Sequence, residues 1–340
     1  MGKQKLSVYA RITIISMMFL LSTGAIFGAN TYKHVKHINA YNTKNQNKSQ
    51  QEKSRQEKSK QNKSLKGWQL NETNTGLAGM KINKNSLPIY RGPSTPAANT
   101  TISRMKITKQ LDLSNGGITI NQCWISPAPG VGTGVSLLTN WTGAPATIQD
   151  CDFDCNDMRD TDKHKAVVAN SFAFLGNGNV LRCHMTNMAQ GIRIVGLAGT
   201  SLVVENNLIH NMWTAASSHC DAITIRKFIG HNLWIHNNWA DNSGIPASPA
   251  VFIQCSDGVI NNTVIEGNYI SSSNWGLGME DGTKRFRRTY GNNMQLINNR
   301  FGRTGFGPYA VDGGPGFTVK SGNYLYNAAT PPENKGTAIK

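Results

Sequence analysis

From about residue 101 onward the chain falls into short stretches in which apolar and polar positions alternate. Gly191–Ile194, Ala222–Ile225, Ala250–Ile253 and Gly276–Met279 are four of them. Alternation over a few residues is the period of a half-buried β-strand, whose side chains point to opposite faces in turn. A second phrase recurs between these stretches: INQCWI, IQDCDF, LRCHMT, VENNLI, IHNNWA, IEGNYI, INNRFG and KSGNYL. Its apolar anchors are Trp124, Phe153, Met185, Leu208, Trp239, Tyr269, Phe301 and Tyr324, spaced 23 to 32 residues apart. Two positions before each anchor stand Gln122, Cys151, Cys183, Asn206, Asn237, Gly267, Asn299 and Gly322. Asn and Gly tolerate the left-handed backbone that a sharp bend between strands demands. No helix-period stretch of useful length follows residue 67.

Each repeat therefore reads as two or three short strands joined by tight turns. Leucine-rich repeats would show a leucine ladder, and propeller blades would be longer. The pattern predicts an all-β fold, a right-handed parallel β-helix of about eight coils stacked at about 4.8 Å. Asn occupies 15 of residues 201–300, and a stack of Asn at one turn position can hydrogen-bond from coil to coil. The expected organisation is an entry segment at 67–100 covering the N-terminal end, the solenoid at 101–329, and a tail at 330–340 that frays after Pro331-Pro332.

Charge locates what lies outside the solenoid. The net charge of +16 looks at first like a nucleic-acid signal, but residues 1–66 hold 13 Lys/Arg against 2 Asp/Glu, and residues 67–340 hold 22 against 17. Residues 30–66 are a Lys/Gln/Ser-rich segment with Lys-Ser pairs every five residues from Lys48 to Ser64. That period fits neither a helix nor a strand face, and the segment has too little apolar surface to fold. It reads as a solvated linker or as a cationic tether to an anionic cell wall or membrane surface. Without interleaved aromatics it gives no reason to expect nucleic acid. Before it, Lys3, Lys5 and Arg11 precede the apolar run Ile12–Ala29, the layout of an export signal. As a helix the run is about 27 Å long against a hydrocarbon core of about 30 Å, so 1–29 reads as a cleaved signal peptide or a retained anchor. The expected location is secreted, or held on the outer face of the cytoplasmic membrane by residues 12–29.

Several phrases carry a family likeness: Thr75-Gly76-Leu77, the run Leu87–Pro93, Ile118-Thr119-Ile120, His219-Cys220-Asp221-Ala222-Ile223, and Asn298–Phe301 followed by Gly307-Pro308. Over residues 72–325 the chain resembles secreted bacterial right-handed parallel β-helix repeat proteins of the pectin-lyase-like superfamily. The resemblance implies the solenoid fold and a polysaccharide as partner. It does not imply one reaction, since that group includes lyases, hydrolases, epimerases and phage tailspikes. The chain departs from the usual His-x-Asp-Gly-Ile-Gln by Ala222 in place of Gly and Thr224 in place of Gln, which puts any substrate role of that Gln in doubt here.

Aligning the strand pieces by their apolar pattern puts Val195, Arg226, Gln254, Glu280 and Asp312 in one outward column, with His219 and Asp221 just before a strand. The basic run Lys284, Arg285, Arg287 and Arg288 follows Glu280 and Asp281. β-Elimination on an acidic glycan needs a cation for the substrate carboxylate and a base beside the proton. The run 284–288 offers the cation, and His219 or Lys284 the base, with Asp221 orienting the imidazole. Arg226 and Glu280 would converge across Gln254, and Trp275 offers a platform for a sugar ring. A hydrolase would instead pair Asp221 with Glu280. Glu280, Asp281 and Asp221 also offer the oxygen ligands that Ca²⁺ prefers. The acidic stretch from Asp150 to Asp162 mimics the start of a Ca²⁺ loop, but Asp157 and Lys163 stand where an EF-hand needs Gly and Glu. His184, His210, His231 and His236 read as packing or ladder residues. Of six cysteines, Cys151 and Cys183 share a column, as a disulfide or a reduced ladder.

Two function classes follow: a polysaccharide-active enzyme, lyase before hydrolase, or a non-catalytic glycan-binding or adhesion module. A tailspike-like structural role is a third. The enzyme reading requires His219, Asp221, Arg226 and Glu280 to meet in one groove.

Overall fold

A computed structural model of the chain describes residues 65–127, 136–155, 172–213, 219–245, 248–254, 259–280, 293–312 and 316–340. Three sheets of nine, ten and eight strands run through these residues, parallel throughout except for the last strand of the second. Each coil gives one strand to each sheet in turn. Coil 5, for example, places Ser201–Glu205 in the first sheet, Leu208–Ile209 in the second and Ile223–Phe228 in the third. Eight coils are complete, and Val319–Ser321 with Tyr324–Tyr326 begin a ninth. The parallel β-helix expected from the alternation is therefore present. The coil missing from the sequence count is the first, where Lys106 occupies the place that Trp124 takes in the next coil.

The interior is built from inward columns. Ile120, Ile148, Val180, Val204, Ile235, Ile265 and Leu296 stack in register along the first sheet, all buried. At the turn into the second sheet, a column in left-handed conformation runs through Arg104, Gln122, Asp150, Arg182, Asn206, Asn237, Gly267, Asn298 and Gly322. This corrects the repeat alignment. Phe153, Met185 and Phe301 lie one residue beyond the true register, in which Trp124 pairs with Asp152, Asp152 with His184, and Tyr269 with Arg300. At Cys151, Cys183 and Asn299 the bend sits one residue earlier than expected.

The residue after each bend forms a ladder. Asn207, Asn238, Asn268, Asn299 and Asn323 each use their side-chain oxygen to accept the backbone N–H of the residue one coil before. Cys123, Cys151 and Cys183 continue the column toward the first coil, and Cys123 N–H donates to Cys151 Sγ at 3.3 Å. These three, with Cys155 and Cys220, are buried free thiols, so the reduced ladder is the observed state. Cys255 lies outside the described residues.

Residues 67–86 take an unexpected course. They form a strap along the outer face of the second sheet, against the direction of coil growth. Gly67 N–H donates to Gly267 O in coil 7, and Gly76 N–H to Arg182 O in coil 4. Leu77 N–H donates to Asp152 Oδ1 at 2.9 Å in coil 3. Gly76 has φ +56°, and a Cβ there would run into Asp152 Oδ1, so the close approach needs glycine. Lys84 pairs with Asp154 at 3.3 Å and lies over the Trp124 ring. Only at Pro88 and Tyr90 does the chain reach the first coil, bonding both backbone groups of Lys106.

The C-terminal tail does not end frayed as expected. Lys335–Ala338 pairs antiparallel with Tyr324–Tyr326, and Trp68 Nε1 donates to Pro332 O at 2.9 Å. The strap thus gives the tail a surface to hold. The apolar run 12–29 and the basic segment up to residue 64 lie outside the described residues, among which no helix is long and apolar enough to cross a membrane.

Candidate functional site

The outward face of the third sheet carries three columns. Arg193 pairs with Thr224, Thr224 with Phe252 and Phe252 with Gly278 in the middle column. Upstream, the same register aligns Phe172, Gln190, Asp221 and Trp275. Downstream, Gln254 pairs with Glu280 and Glu280 with Asp312. The column expected from alternation is correct for these three. It fails at Val195, which pairs with Lys227 because the strand bulges after Ile225 and leaves Arg226 as the extra residue. A bulge re-aims a side chain relative to the ladder. Arg226 Nε is buried with no hydrogen-bond partner among the described residues.

Asp221 is the centre of the upstream group. It is 2 % exposed, and Thr224 Oγ1 donates to its Oδ2 at 2.9 Å. Thr224, standing where the family likeness has Gln, is thus occupied in holding this carboxylate. Burial raises the Asp221 pKa, against the Thr224 hydroxyl, the charge of His219, the Ser248 hydroxyl and the charge of Arg193, which lower it. His219 is exposed, and its Nδ1 lies 2.8 Å from Ser248 Oγ. Arg193 Nη2 donates to Gln190 Oε1 at 3.2 Å, and its guanidinium lies 3.9 Å from the Phe172 ring centroid. Arg193, Gln190 and Phe172 were not singled out from sequence. The signal was there, since Arg193 is the polar position of the alternating Gly191–Ile194 piece, one coil before Thr224.

The downstream group is separate. Gln254 Nε2 donates to Glu280 Oε2 at 2.6 Å. Asp221 lies at the level of Trp275, five residues before Glu280 along the strand and two coils away. At about 3.3 Å per residue and about 4.8 Å per coil, their backbones are about 19 Å apart. A glycosidase pair needs carboxyls roughly 5–9.5 Å apart, so Asp221 and Glu280 cannot form one. The same separation prevents them from sharing a Ca²⁺ ion. The four residues named for the groove do not meet: His219 and Asp221 lie together upstream, Glu280 lies downstream beside Gln254, and the bulge sets Arg226 out of the ladder.

Trp275 is half-buried on the rim, 6.2 Å between ring centroids from Phe306. Phe306 is 69 % exposed. Lys284, Arg285, Arg287, Arg288 and Asp281 lie outside the described residues. Of the acidic stretch, Asp152 and Asp154 are used to hold the strap at Leu77 and Lys84. Among the described residues, one group of His, Cys, Asp or Glu has the spacing of metal ligands: Glu72 on the strap with His184 and His210 at the second sheet. Comparison with family models, curated proteins and solved structures gives no match for this chain.

Proposed function

We propose that this protein is a polysaccharide-active β-helix of the pectin-lyase-like kind, working on an acidic glycan laid along the outward face of the third sheet. The observation that carries this reading is the meeting of a buried acid, an arginine and an exposed histidine at one point of that face. β-Elimination uses each of them. Arg193 neutralises the uronate carboxylate and so acidifies the adjacent C5–H. His219, with Nδ1–H directed to Ser248, takes the C5 proton at Nε2. The C–H electron pair becomes the C4–C5 double bond, and the C4–O bond breaks. Asp221, which burial keeps inclined to hold its proton, gives that proton to the departing oxygen. Gln254 and Glu280 line the path of the polymer further along the face, with Lys284, Arg285, Arg287 and Arg288 as further contacts to its carboxylates.

The setting belongs to the same proposal. Residues 1–29 act as an export signal or anchor, and 30–66 as a basic spacer beside an anionic wall or membrane surface. The experiment is incubation of the purified chain with uronate-containing and neutral polysaccharides, reading the ultraviolet absorbance of unsaturated uronates and new reducing ends. Absorbance that disappears in Asp221→Asn and His219→Ala supports the lyase. Reducing ends without absorbance overturn elimination in favour of hydrolysis.

A second reading, a non-catalytic glycan-binding module, is favoured by the exposed Phe306 beside Trp275, since aromatic faces stack on sugar rings. Retention on a polysaccharide column that Phe306→Ala abolishes, with neither product signal, would support it.

A further inference from the structure

His184 and His210 sit on consecutive coils of the second sheet with nearly parallel rings, 15° between planes and 5.1 Å between centroids. Their Nε2 atoms are 2.9 Å apart. Glu72, on the strap, brings Oε1 to 3.6 Å from His210 Nε2, and all three donor atoms fall within 4.8 Å of one another. We propose that Glu72, His184 and His210 bind a divalent transition metal, Zn²⁺ being the natural fit, and that the ion clasps the strap to coils 4 and 5.

Several observations support the assignment. Two ring nitrogens face each other where at most one proton can lie between them, an arrangement that one cation accepting both lone pairs completes. Donors at about 2.0–2.1 Å from a tetrahedral ion stand about 3.3 Å apart, so the observed separations need only small adjustment. The backbone carrying Glu72 is fixed, because Asn71 Oδ1 accepts from Thr73 N–H and Thr73 Oγ1. The neighbouring cation, Lys84, is paired with Asp154, and Asp154 Oδ1 also accepts from Asn187. Three protein ligands leave a fourth position for water.

The test uses the full chain stripped with chelator, titrated with Zn²⁺ against a chromophoric competitor and with Co²⁺ read by its visible spectrum. Parallel measurements use His210→Ala and Glu72→Gln. Hydrogen exchange across residues 71–77 reads the clasp. The expected result is a site whose Zn²⁺ affinity falls by at least about 100-fold in His210→Ala, beyond the roughly 10–100-fold typical of outer-shell partners. Glu72→Gln should weaken binding and abolish the metal-dependent slowing of exchange at 71–77. No uptake by the parent chain, or uptake unchanged in His210→Ala, overturns the site. Uptake with exchange at 71–77 unaffected by metal overturns the clasp.

Discussion

Asn238 makes two hydrogen bonds to one atom of Asn268: its backbone N–H reaches Asn268 Oδ1 at 2.9 Å and its Nδ2–H at 3.0 Å. Asn268 Nδ2 in turn donates to Ile235 O and to Asn299 Oδ1. The side chain is 1 % exposed, so water cannot replace it. Asn268→Ala should lower the unfolding free energy by about 3 kcal/mol, since several buried groups lose partners worth roughly 1–3 kcal/mol each. Urea unfolding checks this, with Asn232→Ala on the exposed surface expected within about 0.5 kcal/mol of the parent.

Asp221 gives a pH prediction with a definite sign. Its native pKa lies above the ordinary 3.8, so the native state holds this proton more tightly than the unfolded chain. Stability from this group is fully present below 3.8 and is lost as pH rises through the native value. Asp221→Asn keeps a polar group toward Thr224 and removes the buried charge. The variant should melt higher than the parent at neutral pH, and the gap should close as pH falls below about 3.8. Thermal melts across that range measure it.

The same substitution should separate from Glu280→Gln in kinetics. Asp221→Asn removes the proton donor and should cut kcat by about 10²–10⁴-fold. Glu280 lies about 19 Å away along the sheet, so Glu280→Gln should raise KM by roughly tenfold and leave kcat nearly unchanged. Equal losses of kcat in both variants would place the chemistry elsewhere.

Trp68 anchors the start of the strap. Its ring lies 4.3 Å from the guanidinium carbon of Arg300, whose side chain is fully buried, and its Nε1 holds Pro332 O. Trp68→Ala should cost about 3–5 kcal/mol and make the tail at 330–340 susceptible to protease. Proteolysis followed by mass spectrometry reads the second effect directly.

The three-sheet coil was legible because alternation and turn residues repeat locally. The frame was harder. An aromatic facing outward, such as Trp239 or Tyr269, resembles an inward Phe153 or Phe301 in a one-dimensional pattern, and the two differ by a single residue. The strap runs along this outward column, with Trp68 at Arg300 and Lys84 at Trp124, and the strap has no period of its own. Gln254, Glu280 and Asp312 were correctly placed in one outward column, since that follows from counting along strands. The separation of Asp221 from Glu280 comes mainly from five residues along the strand, with the two-coil offset adding to it, and the bulge at Arg226 left no mark in the pattern.

The strap also changes how the solenoid must come apart. A stack of repeats ordinarily behaves as a linear array in which each unit feels only its neighbours and the ends peel first. Here one polypeptide binds coil 7 at Gly267, coil 4 at Arg182 and coil 1 at Lys106. Opening a terminal coil therefore strains a connection shared with distant ones. Loss of order at either end is coupled to the middle, so the array should melt in a single step rather than by unzipping.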